Sequence, residues 1–88
     1  MKPITIFLAE EQQYVRDAMR LMLEHQPAFT VIGETNCGEK LAGLVDGNYP
    51  DVVLLDWYLP ALDPKKVLTQ LRQQCPNAII IATSVRPE

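Results

Sequence analysis

A basic surface is what this chain most plainly lacks. Its 88 residues hold eight lysines and arginines against eleven aspartates and glutamates, a net charge of −3. The longest basic run is Lys65-Lys66, which reads as a solvated helix end. Nucleic-acid binding needs a patch that neutralises phosphates, so this segment is not expected to bind it. Long apolar runs are missing too. None approaches the roughly 20 residues of a membrane span, and "MKPITIFLAEE" turns acidic after one short apolar run, unlike a secretory leader. The two cysteines, Cys37 and Cys75, have no metal-ligand spacing and read as reduced packing residues in a cytoplasmic protein. The four glycines are scattered, which excludes a phosphate-cradling loop.

What remains is an ordinary globular composition, 48% hydrophobic and 22% charged. Four short apolar runs alternate with helical patterns. "ITIFLA" (4–9) reads as a strand buried on both faces. Residues 12–25 suit a helix, with Val15, Ala18, Met19 and Met22 on one face. His25 in its last turn reads as a helix-end cation, not a ligand. "FTVIGE" (29–34) is a second strand. Asn36 with Glu39 resembles a capping box before a short helix striped by Leu41, Leu44 and Val45. "DVVLLD" (51–56) is a third strand without polar alternation. Asp63 and Pro64 suit the N-cap and first residue of a helix striped by Val67, Leu68, Leu71 and Cys75. "AIIIATS" (78–84) is a fourth buried strand. The βαβαβαβ order implies a parallel α/β sheet with right-handed crossovers.

Ligands of such sheets bind at the carboxyl ends of the strands. The first strand ends in Glu10-Glu11, the third in Asp56 and the fourth in Thr83-Ser84. With the first and third strands adjacent, three carboxylates converge and need a cation among them. Oxygen donors favour a hard ion such as Mg²⁺. A carboxylate beside that ion and hydroxyl donors can attack phosphorus, so Asp56 reads as a phosphoryl acceptor.

These stretches resemble the receiver domain of bacterial two-component response regulators. "LAEEQQYVRDAMRLML" is similar to its first strand, acidic pair and first helix. "VVLLDWYLPALDPKKVL" is similar to its D-x-x-M-P-x-x-D-G region, and "IIIATS" to its fourth strand. The resemblance implies a flavodoxin-like open sheet of strand order 2-1-3-4 over residues 1–88, and no enzyme beyond self-phosphorylation and dephosphorylation. It implies Asp56 as phosphoacceptor, with Mg²⁺ held directly by Glu11, through water by Glu10, by Asp56 and by the Tyr58 carbonyl. Thr83 would bind the phosphoryl oxygen, with Trp57 and Ser84 at the rim. The donor would be a sensor histidine kinase. Similarity of "VIGE" and "PDVVLLD" to regulators with a LuxR-type helix-turn-helix implies transcriptional control through an output domain absent from this segment.

The chain also departs from the pattern. Its acidic pair is Glu-Glu, not Asp-Asp or Glu-Asp, and Ala61 and Pro64 replace glycines. The family's last helix, strand and helix, with a phosphate-binding lysine, are expected to be missing. Strand 78–83 would then be an exposed edge open to self-association. The rival reading is a phosphorylation-independent pseudo-receiver acting as a protein-interaction module. A dehalogenase-type phosphatase would need an aspartate where Tyr58 stands.

Overall fold

The computed structural model describes residues 2–84, which alternate between strand and helix. The elements are β1 (Ile4–Ala9), α1 (Gln13–Glu24), β2 (Phe29–Thr35), α2 (Gly38–Val45), β3 (Val52–Asp56), α3 (Pro64–Gln74) and β4 (Ile79–Thr83). All strand pairs are parallel, and the order is β2-β1-β3-β4, as the resemblance implied.

Burial on both faces explains why β1 and β3 are mostly apolar. Phe7, Ala9, Val53 and Leu55 face a core closed by Leu41 and Val45 of α2 and by Val67 and Leu71 of α3. Ile6 and Leu8 face the opposite side, where Met19 and Leu23 of α1 pack. Sequential β-α-β connections bury both faces of a parallel sheet in this way. The two sides are unequal. Leu41, Leu55 and Leu71 are fully buried, and truncating any of them to alanine costs about 2–5 kcal/mol. No residue of α1 is buried.

Four expectations need correction. In α1, Ala18 and Met22 are exposed, Met22 by 72%, and the packing face runs through Met19 and Leu23. Arg16 and Arg20 set that rotation by reaching Glu34 on β2. Asn36 does not cap α2; Cys37 does, without a side-chain bond. The Gly38 N–H donates instead to the Pro60 carbonyl at 2.8 Å, which ties the helix start to the loop after β3. The fourth strand is not buried: Ile79 and Ile81 are 61% and 45% exposed, because β4 ends the sheet and only Ile80 packs into the α2–α3 core. Leu44 is also largely exposed, whereas Leu41 and Val45 hold α2 as expected.

The cap of α3 is as read from the sequence. Asp63 Oδ1 accepts from the Lys66 N–H at 3.3 Å, and Pro64 opens the helix. A register shift between Ile6 and Phe7 leaves Ile32 without a partner across β1. Gly33 then lies against Phe7, where a Cβ would come within 2.7 Å of the ring.

Candidate functional site

Strand register assembles the site. Ala9 pairs with Leu55, so the next residues, Glu10 and Asp56, emerge side by side from neighbouring strands. Parallel strands lie about 4.8 Å apart. On the other side, Asp56 pairs directly with Thr83. Glu10 and Asp56 are both buried, at 3% and 4% exposure.

Backbone groups hold the end of β3. The Tyr58 N–H donates to Asp56 Oδ1 at 3.0 Å and orients the carboxylate. The Trp57 N–H donates to the Thr83 carbonyl at 2.9 Å, and Leu59 N–H to the Asp56 carbonyl at 3.1 Å. Leu59 is buried in the core below. Ala61 adopts a left-handed conformation, φ 56°, unusual for a residue with a Cβ. Glu10 is fixed too: its N–H donates to the Thr35 carbonyl at 3.0 Å, and its Oε2 accepts from the Gln12 N–H at 2.7 Å.

Trp57, Tyr58, Ala82, Thr83 and Ser84 line a shallow cavity of about 400 Å³. Trp57, Tyr58 and Ser84 are exposed there. A larger cavity of about 500 Å³ between α2 and α3 contains none of these residues.

The three carboxylates do not converge as a set. Glu11 is exposed, and among the described residues no group of three acidic, histidine or cysteine side chains is close enough to hold a metal. The reason is local. After β1 ends, the chain turns into α1, so Glu10 keeps the buried direction and Glu11 takes the solvent side. Two buried carboxylates remain, and no lysine or arginine among the described residues forms a salt bridge with either. Such a pair fits a hard cation that supplies the missing positive charge.

Three neighbours were not legible beforehand. Thr35 ends β2, is buried, and its hydroxyl accepts from the Cys37 N–H at 3.3 Å. Arg16 reaches the Glu10 and Glu11 carbonyls, and Glu34 holds Arg16. The one available signal was Thr35 itself, a hydroxyl ending an apolar run as Thr83 does. Arg16 and Glu34 are 18 residues apart on different elements, and no local pattern joins them.

Two buried carboxylates at the carboxyl ends of a 2-1-3-4 parallel sheet belong to a flavodoxin-like α/β fold. The chain belongs to the response regulator receiver domain family, which it matches over residues 6–88. It is the receiver domain of a two-component response regulator. It is 30% identical over 84 residues to the nitrate/nitrite response regulator protein NarL of Escherichia coli K12, covering 96% of this chain and 39% of NarL. It is 28% identical over 79 residues to the transcriptional regulatory protein YdfI of Bacillus subtilis, covering 90% of this chain and 37% of YdfI. A LuxR-family DNA-binding response regulator from Staphylococcus aureus superposes with a TM-score of 0.82 at 25% identity, over 97% of this chain and 71% of that one. The chain thus spans about two-fifths of these curated relatives. Receiver domains generally bind Mg²⁺ at the phosphorylation site. Among the described residues, no helix is long and apolar enough to cross a membrane.

Proposed function

We propose that Asp56 accepts a phosphoryl group from the phosphohistidine of a sensor kinase. The observation that carries this reading is the buried Glu10–Asp56 pair beside Thr83, at the carboxyl ends of three adjacent strands. The Asp56 carboxylate attacks phosphorus, a P–O bond forms, the P–N bond to the histidine breaks, and the imidazole keeps the electron pair. The Tyr58 N–H orients the nucleophile, and Thr83, paired directly with Asp56 on the neighbouring strand, would donate its hydroxyl to a phosphoryl oxygen. Glu10, Asp56 and the Tyr58 carbonyl would hold Mg²⁺, with Glu11 reaching it only by turning inward. When bound, the ion supplies positive charge against the phosphoryl oxygens.

This chemistry is self-modification and not turnover of a substrate. For the whole protein we propose cytoplasmic control of transcription, as the names of NarL and YdfI suggest for those relatives. DNA contact is assigned to an output domain and not to this segment, whose net charge is −3. We add self-association along β4 as a second contact, supported by its exposed Ile79 and Ile81.

The test uses Trp57, the only tryptophan. Mg²⁺ and then beryllofluoride, a phosphoryl mimic, are titrated against its fluorescence. A saturable change that Asp56→Asn abolishes is expected. A flat titration on folded protein overturns the proposal and leaves the interaction-module reading.

A further inference from the structure

Arg16 sits in the first turns of α1, yet its side chain turns back toward the end of β1. Its Nη1 donates to the Glu10 carbonyl at 2.8 Å and to the Glu11 carbonyl at 2.9 Å. Its Nε donates to Glu34 Oε2 at 2.9 Å, and the side chain is only 13% exposed. Glu34 in turn accepts from Arg20 Nη2 at 2.9 Å, and Arg20 pairs with Glu24 at 3.2 Å. One guanidinium therefore ties three things together: the turn carrying the acidic pair, the end of β2, and α1.

Two features separate this from an ordinary surface pair. First, the carbonyls it meets belong to the two acidic residues themselves, where the chain leaves the sheet ladder and backbone acceptors need new partners. Second, the planar guanidinium serves both directions at once, Nε toward β2 and Nη1 toward the turn, which a single ammonium cannot do. The arrangement fixes the backbone directions from which the Glu10 and Glu11 side chains depart. Glu10 needs that: its side chain is buried, and Oε2 accepts from the Gln12 N–H.

We infer that Arg16 is a positioning residue for the Mg²⁺ pocket, anchored by Glu34, which presets the acidic turn without touching metal or phosphoryl group. The inference rests on the proposed phosphoacceptor site. Partners that orient metal ligands from behind matter about tenfold to a hundredfold for affinity.

The experiment compares the full chain with Arg16→Gln and Arg16→Lys. Mg²⁺ affinity is read by Trp57 fluorescence, unfolding by urea, and the Gln12 amide by hydrogen exchange. Arg16→Gln is expected to raise the Mg²⁺ Kd about tenfold or more and to speed Gln12 exchange, while Leu55 on the buried strand keeps its protection. Arg16→Lys retains charge and stem but not the fork, so it should fold and recover only part of the affinity. It decides the matter if Arg16→Gln does not fold. A variant that melts like the parent and binds Mg²⁺ with the parent's Kd overturns the inference alone. Unchanged Gln12 exchange in a folded variant does the same. A flat titration of the parent chain overturns this inference together with the phosphoacceptor reading.

Discussion

Gly38 shows how one residue governs the loop that follows Asp56. A Cβ at Gly38 would lie 2.7 Å from Leu62 Cα and 2.9 Å from the Ala61 carbonyl oxygen, so backbone and not a flexible side chain would have to move. Its N–H already holds the Pro60 carbonyl at 2.8 Å. Gly38→Ala is expected to cost about 1–3 kcal/mol, read as a lower urea midpoint, and to displace the loop bearing Tyr58. An unchanged midpoint would refute this account of the contact. Individual residues were unevenly legible. The Asp63 cap could be read because a cap is set by the few residues around it. The Asn36 cap misled because the start of α2 is fixed by Pro60, more than twenty residues away.

At the scale of elements, polar ties do what burial does not. The Asp51 N–H donates to the Thr5 carbonyl at 3.0 Å, and Asp51 Oδ2 accepts from the Thr5 N–H at 2.9 Å and hydroxyl at 3.1 Å. The backbone bond from Thr5, then its hydroxyl, hold the Asp51 carboxyl below its ordinary value. For Glu34, partial burial alone would raise the value, but hydrogen bonds and charge from Arg20 and Arg16 outweigh it, and the carboxyl is lowered. A lowered folded value means that the unfolded chain binds more protons. The stabilisation is therefore present above the unfolded carboxylate range and lost as pH falls through the folded values, from about pH 5 downward. Urea midpoints should drop between pH 6 and pH 3, and Asp51→Asn should flatten part of that slope. A slope unaffected by Asp51→Asn would show that its bonds to Thr5 contribute nothing measurable. β1 and β3 could be recognised from sequence because both of their faces are apolar. The rotation of α1 could not, because it depends on two arginines meeting Glu34 across the gap between elements.

At the scale of the whole sheet, among the described residues, α2 and α3 close one face over a continuous core, while α1 lies over the other. Ile79 and Ile81 of β4 stand on an edge strand with large exposed area. Under the proposed self-association, the mass seen by light scattering should rise with protein concentration. Ile81→Lys, placing a charge on the edge, should reduce that rise. A monomer of constant mass across the range would remove β4 as a contact. The apolar runs, their spacing and the single carboxylate ending "VVLLD" determined the strand–helix alternation, the parallel sheet and the candidate nucleophile, because burial periodicity and strand termini are local properties of a chain. Only the tertiary structure decided that Glu10 and not Glu11 is buried beside Asp56, that Thr83 is its direct partner, and that Arg16 and Glu34 stand behind the acidic turn. Those relations follow from strand register and from how α1 sits against β2, both of which form only when residues far apart in sequence pack together.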